Sequence, residues 1–421
     1  SMEIRDEYPT KMEGFPVRLN YEYCDRLIGK KLGNETIKRI AESLEMKVEK
    51  EDAEGLNLLV PPYRVDVQRP CDVVEDILRI YGYNNVEIPT ELKSSLTIAE
   101  EADKNYHREN IIGEQLVGAG FSEIMNNSLT KSSYYEETGL NAYPWEETVK
   151  VMNPLSADLG VMRQTLLFGG LESIVRNVNR KAQNLRFFEV GNVYKFNKEK
   201  WSEESPVKAY SQDYHMALWV TGKRVQGSWA HPDEESTFYE LKAYVENILR
   251  RIGIAQGLLV SEKSDNNVFD KAIVLKTRAG KVLVEMGILS HKLLKSFNID
   301  QKVYYAELDW AGLMKAIRKN KLQFQEISKY PAVSRDLALL VDNNVEFAQI
   351  EEIARQADKK LLKRVELFDV YQGKNLPEGK KSYAVNFILQ DESKTLNDKA
   401  IDAIMQKLIK NLTNKLGAEL R

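Results

Sequence analysis

Hydrophobic positions along the 421-residue chain recur with a period near two in some stretches and near 3.6 in others, and the switches mark out three blocks. The last block, residues 325–421, shows the pattern most plainly. Residues 336–341, 365–371 and 383–389 read as strands. Residues 347–362 carry Ile350, Ile353, Ala354, Ala357 and Leu361 on one helical face, and residues 397–416 do the same with Ile401, Ile404, Met405, Leu408, Ile409 and Leu412. Gly373 and Pro377-Glu378-Gly379 supply a turn, and residues 418–421 a closing strand. The order βαββαβ is the split ferredoxin-like arrangement.

The first block, residues 13–90, mixes short strands with helices. Residues 17–20, 46–49 and 56–60 read as strands, and Gly33-Asn34-Glu35 opens a helix with Asn34 as its N-cap. Small domains built this way include winged-helix-like folds. The middle block, residues 95–320, opens on a helix bearing Ile111, Ile112, Leu116 and Val117. Strand-like runs follow at 149–151, 185–190, 216–220, 272–275 and 282–287, with helices at 166–180 and 238–252. Residues 191–213 are polar and read as a loop. The fold class expected is a multidomain α+β protein with a mostly antiparallel central sheet. No internal repeat stands out.

Composition narrows the classes. The length calls for two to four domains. A content of 43% hydrophobic and 29% charged residues is that of a globular protein in water, and no apolar run nears the roughly 20 residues of a membrane span. The charged start, residues 1–6, lacks the apolar centre of a signal peptide, and Ser1 before Met2 reads as a residue left by tag removal. Only Cys24 and Cys71 are present, which fits a reducing cytoplasm and excludes a cysteine metal site. A net charge of −3 disfavours a protein that coats nucleic acid, yet leaves room for local basic patches.

Candidate chemistry is sparse. Asp66, Asp72, Glu75 and Asp76 crowd an apparent strand-to-helix junction that closes on Gly82, placed to end a short helix. Asp72 with Glu75 has capping-box spacing, and Asp76 suits the helix dipole; Asp66, on the preceding strand, is left over. Four oxygen donors also suit a hard cation, Mg²⁺ or Ca²⁺, and local spacing leaves both readings open. His107, His215, His231 and His291 show no zinc spacing, and neither a phosphate-binding Gly-x4-Gly-Lys motif nor a nucleophile elbow occurs. In the last block Lys359, Lys360, Lys363, Arg364, Lys374, Lys380 and Lys381 gather around one helix end and the turn between the block's second and third strands. With Tyr330, Phe368 and Tyr371 they make a candidate RNA-facing surface, against which stands an ordinary solvated face whose acids nearly balance its bases.

Three stretches carry a resemblance. They are Pro62-Tyr63-Arg64-Val65-Asp66 through Tyr81-Gly82-Tyr83, Asn153-Pro154-Leu155-Ser156 followed by Met162-Arg163-Gln164-Thr165-Leu166-Leu167, and Lys329-Tyr330-Pro331-Ala332-Val333-Ser334-Arg335-Asp336-Leu337. In this collinear order the chain resembles the C-terminal half of the β subunit of bacterial phenylalanine–tRNA ligase. The resemblance implies a Mg²⁺ site on Asp66, Asp72, Glu75 and Asp76, with Asp76 one methylene shorter than the family's usual Glu. It implies an anticodon-binding ferredoxin-fold domain at 325–421, to which Tyr330 and Arg335 belong, and a degenerate class II synthetase-like core at 95–320. That core lacks its active-site pattern: Arg186 and Glu189 are offset by three rather than two, which sends them to opposite faces of a strand, and no Gly-rich third motif is found.

The implied role is non-catalytic. Within an α2β2 holoenzyme the catalytic α subunit would use ATP to attach phenylalanine to tRNA(Phe), while this chain scaffolds α and holds the anticodon region. The family's N-terminal tRNA-binding and editing domains are expected to be missing here, so no hydrolysis of mischarged tRNA is expected either. No membrane and no DNA partner is expected. The rival readings are a stand-alone class II ligase and a non-enzymatic module whose first block binds DNA as a winged helix.

Overall fold

The computed structural model describes residues 3–88, 101–136, 138–254, 257–318, 324, 326–373 and 376–421. The chain divides into two compact units, residues 1–104 and 105–421.

In the first unit, β1 (Phe15–Asn20), β2 (Lys47–Asp52) and β3 (Gly55–Val60) form an antiparallel sheet in the order β1-β3-β2. Helices α1 (Tyr21–Ile28), α2 (Asn34–Ser43) and α3 (Pro70–Tyr81) bury Cys24, Ile37, Val73 and Ile77 against Leu19, Leu56 and Leu58 of the strands. Helix α1 escapes the periodicity because it is short and follows β1 without a loop. Asn20 caps it by accepting the Tyr23 N–H at 2.9 Å, and Gly29 at φ 81° ends it. Asn34 is the first residue of α2 rather than its cap; that position falls to Gly33, at φ 86°, which has no side chain to cap with.

After α4 (Glu101–Gly118) the second unit builds two sheets. The larger contains β4 (Ser122–Glu123), β7 (Leu185–Phe196), β8 (Tyr210–Thr221), β11 (Leu259–Lys263), β12 (Phe269–Thr277), β13 (Val282–Leu289) and β14 (Val303–Asp309). Their order is β11-β12-β13-β14-β8-β7-β4, antiparallel except for β4 beside β7. Short ribbons β5 (Leu129–Thr130) with β6 (Val161–Met162), and β9 (Lys223–Val225) with β10 (Glu234–Glu235), flank it, as does the single turn α5 (Ser133–Glu136). Both faces of the large sheet are covered. Phe187, Ala217, Trp219 and Tyr305 pack under α6 (Leu167–Val178) and α8 (His291–Ser296). Phe188, Leu218, Met286 and Ala306 pack under α4, α7 (Phe238–Arg251) and α9 (Trp310–Ile317). Two-sided burial is why residues 216–220 are apolar throughout instead of alternating. The polar stretch 191–213 is not one loop. β7 continues to Phe196 and β8 starts at Tyr210, because the hairpin keeps its ladder (Tyr194 opposite Gln212) and Val193 still reaches the core. Residues 149–151 make only an isolated bridge, Lys150 to Val161.

The smaller sheet comprises β15 (Val333–Asp342), β16 (Leu362–Tyr371), β17 (Lys380–Leu389) and β18 (Glu419–Leu420), in the order β16-β17-β15-β18. Helices α10 (Phe347–Ala357) and α11 (Asp398–Leu416) cover one face, closing a core around Val341, Ile350, Val385, Phe387, Leu408 and Leu412. This is the split βαββαβ arrangement expected. Helix α10 stops at Ala357 because the extended Asp358 turns its carboxylate onto the N–H groups of Lys360 and Leu361.

Candidate functional site

The acidic junction folds differently from its linear reading. β3 stops at Val60 because Pro61 and Pro62 carry no N–H to continue a ladder. Two tight turns follow, Arg64 N–H to Pro61 O at 3.0 Å and Val67 N–H to Arg64 O at 3.1 Å, so Asp66 lies in a turn and not on a strand. Helix α3 starts at Pro70 with Arg69 as N-cap, which puts Asp72 at the third helical position. Its carboxylate reaches back to the N–H of Arg69 at 2.8 Å and of Gln68 at 3.2 Å, while the Arg69 guanidinium closes on it at 2.9 Å. These bonds hold the Asp72 carboxyl well below the usual carboxylate range, the Arg69 guanidinium being the largest cause. Asp72 therefore does cap α3, as the reciprocal half of a box whose cap residue has no acceptor.

The other three acids go separate ways. Asp76 is buried on α3 and accepts Arg64 Nη2 at 2.6 Å; Asp66 is exposed and takes the same guanidinium at 3.3–3.4 Å, which lowers its pKa. Glu75 faces water. Among the described residues no three His, Cys, Asp or Glu side chains stand where one cation would touch them all. As arranged, the four acids do not fit a magnesium site. Arg64 and Arg69 are the residues that linear reading missed: Arg69 stands three positions from Asp72 and Arg64 two from Asp66, but the shorter contact of Arg64 is with Asp76, twelve positions on.

The basic residues of the smaller sheet separate in space. Lys359, Lys360, Lys363 and Arg364 lie at the end where Leu362 meets Leu389, and Tyr330 O accepts Gln390 Nε2 there at 2.8 Å. Arg335, opposite Phe387, is exposed near that end. Lys380 and Lys381 sit at the far end, about 27 Å away along β17 at ~3.3–3.4 Å per residue. The expected single cluster is thus two. Lys381 is no surface residue: it is 8% exposed, gives its ammonium to Asn343 O at 2.9 Å and lies over the Tyr383 ring. Lys380 pairs with Glu419 at 2.6 Å, Lys363 with Glu392 at 2.7 Å and Arg364 with Glu366 at 3.1 Å. Lys359 and Lys360 are exposed, and Lys374 lies outside the described residues.

The third candidate is the large sheet itself. On β7, Arg186 points to the α7 side and meets Glu240 at 3.1 Å, whereas Glu189 points to the α6 side and meets Arg163 at 2.6 Å. The Arg163–Glu189 pair is almost wholly buried, at 8% and 2% side-chain exposure. Arg163 also donates to Asn192 O, and Asn126 donates twice to Glu189. Gly191 makes room, since a Cβ there would strike the Arg163 guanidinium. On the same face Glu307 accepts from Thr165 and Tyr305, each at 2.6 Å, and lies 2.8 Å from His215 Nδ1. Burial opposes charge on both members of the last pair. Their mutual attraction outweighs it, raising the His215 pKa above 6.5 and lowering that of Glu307. The buried charges of Arg163, Glu189 and Glu307 are thus each met by other groups of the chain itself.

In chain order come a small three-stranded unit, a seven-stranded sheet and a ferredoxin-like domain, and matches to three family models put this series in the class of multidomain aminoacyl-tRNA synthetase subunits. Residues 88–310 match the model for the phenylalanyl tRNA synthetase beta chain CLM domain, residues 328–421 that for the ferredoxin-fold anticodon binding domain, and residues 17–83 that for the tRNA synthetase B5 domain. The chain belongs to the phenylalanyl-tRNA synthetase beta-chain family. It is 59% identical over 421 residues to the phenylalanine–tRNA ligase beta subunit of Bacteroides fragilis, covering 100% of this chain and 51% of that one. Identity is 48% over 418 residues with the beta subunit of Porphyromonas gingivalis (99% and 51% covered) and 32% over 421 residues with that of Syntrophotalea carbinolica (99% and 51%). The chain spans about half the length of the curated relatives it matches. No helix among the described residues is long and apolar enough to cross a membrane.

Proposed function

We propose that this chain is a non-catalytic part of a phenylalanine–tRNA ligase, scaffolding a catalytic α subunit in an α2β2 assembly and holding the anticodon region of tRNA(Phe). In this reading residues 13–90 form a winged-helix-like domain, residues 95–320 a class II synthetase-like core without its chemistry, and residues 325–421 the anticodon-binding domain. ATP, its Mg²⁺ and phenylalanine belong to α, and the assembly works in the cytoplasm.

The observation that carries the reading is the self-satisfied face of the large sheet. A class II site needs a cation on β7 free to meet a phosphate, yet the strand offers Glu189, already closed by Arg163, while Arg186 is turned away toward Glu240. A partner surface is supported by the loop before β6, where Met152 and Leu155 are 90% and 96% exposed. For the tRNA, Tyr330, Arg335, Lys359, Lys360, Lys363 and Arg364 at one end of the smaller sheet are the proposed contacts, combining phosphate pairing with a ring for stacking.

The test is co-expression with the α subunit of a Bacteroides ligase. The expected result is co-purification, with phenylalanine-dependent ATP–pyrophosphate exchange present in the complex and absent from this chain alone. Exchange by the chain alone would establish a stand-alone ligase. Failure to co-purify, together with tighter binding to duplex DNA than to tRNA(Phe) at matched salt, would favour a DNA-binding module.

A further inference from the structure

The acidic junction already holds a cation, and that cation is a side chain. Arg64 Nη2 lies 2.6 Å from Asp76 Oδ2 and 3.3 Å from Asp66 Oδ2, with Nε 3.4 Å from Asp66 Oδ1. Asp76 is 11% and Arg64 22% exposed at the side chain. A carboxylate so shielded demands a counter-charge, and only the guanidinium supplies one among the described contacts of Asp76. The backbone delivers it reliably. The turns at 61–67 bond Arg64 on both its N–H and its C=O, and Val67, 2% exposed, anchors the second turn in the core.

Geometry and charge both set this guanidinium against a metal. Mg²⁺ requires oxygens at about 2.0–2.1 Å in near-octahedral array. The space facing the Asp66 and Asp76 oxygens is filled by nitrogen. Asp72 is committed to Arg69 and two backbone N–H groups, and Glu75 to water.

We infer that Arg64 is a built-in counter-cation which keeps divalent metal out of this junction: the first unit folds metal-free, and a divalent ion enters only where Arg64 has withdrawn from Asp66 and Asp76. Removing the guanidinium leaves two facing carboxylates uncompensated, and a divalent ion becomes their natural partner.

The experiment is a Mn²⁺ titration of the full chain followed by electron paramagnetic resonance, with Mg²⁺ as competitor and circular dichroism to verify folding. The wild-type chain is expected to show no saturable Mn²⁺ site tighter than about 1 mM, and a thermal midpoint unaffected by excess EDTA or Mg²⁺. Arg64→Gln is expected to gain a Mg²⁺-displaceable site at least about tenfold tighter, lost again in Arg64→Gln/Asp76→Asn. Tight Mn²⁺ binding by the wild-type chain that disappears in Asp76→Asn overturns the inference, as does a folded Arg64→Gln chain that gains nothing. Should Arg64→Gln not fold, the wild-type and Asp76→Asn titrations still decide the matter.

Discussion

At the scale of single residues, charge placement decides what each side chain is for. Arg163 and Glu189 are buried deeply enough that removing one partner strands the other, so Arg163→Met should cost roughly 3–5 kcal/mol in urea unfolding. The double change Arg163→Met/Glu189→Leu should recover much of that loss, which a double-mutant cycle would show. Lys381 offers a second case. Because its ammonium is tied to Asn343 and the Tyr383 ring, Lys381→Ala should lower stability by about 1–2 kcal/mol and leave unchanged the tRNA binding proposed for the other end of the sheet. His215 and Glu307 make a third. A His with a raised pKa stabilises fully below its unfolded value near 6.5 and loses that contribution as pH climbs through the folded value; Glu307 contributes above 4.5 and loses it on acidification. The pair thus supports the fold most between those values. Relative to His215→Gln, the wild-type thermal midpoint should fall as pH rises above 6.5; parallel pH profiles would contradict this.

At the scale of elements, legibility followed locality. The ferredoxin-like block was readable element by element, since each helix shows one apolar stripe and each strand is bounded by Gly or Pro, although the helix expected over 347–362 ends at Ala357 and Leu362 already belongs to β16. What escaped was set by pairing, capping and turns that hydrophobic periodicity does not register. The outer ends of β7 and β8 carry many polar residues yet are paired, α1 rides on a single Asn cap, and the place of Asp66 was settled by two prolines before it. The candidate site was legible as a set of acids, but their counter-ions were not, because a guanidinium's reach does not show in spacing. The basic list of the smaller sheet failed for a similar reason: residues 359–364 and 380–381 are near neighbours in sequence but stand a strand's length apart. If the proposed tRNA surface is the 359–364 end, Lys359→Ala/Lys360→Ala should weaken tRNA(Phe) binding and flatten its log–log salt slope by about 1.5. Packing of α6 on β8 admits a further test. Gly170 faces the indole of Trp219 so closely that Gly170→Ala should cost about 1–3 kcal/mol, measured by thermal unfolding.

At the scale of the whole molecule, four apolar clusters serve two compact units, so heating should resolve more than one calorimetric transition. Strand β8 is an interior strand of the large sheet, between β7 just before it in sequence and β14, which begins only at Val303. On the ribosome this is a waiting time. Roughly 80 further residues must be synthesised before the second edge of β8 has a partner, or about 4–16 s at ~5–20 residues per second. Throughout that interval Met216-Ala217-Leu218-Trp219-Val220 presents an unpaired apolar edge to the cell. Nascent chains stalled between residues 230 and 300 should consequently pellet with aggregates far more than chains stalled beyond residue 350, and equal solubility of the two would refute it.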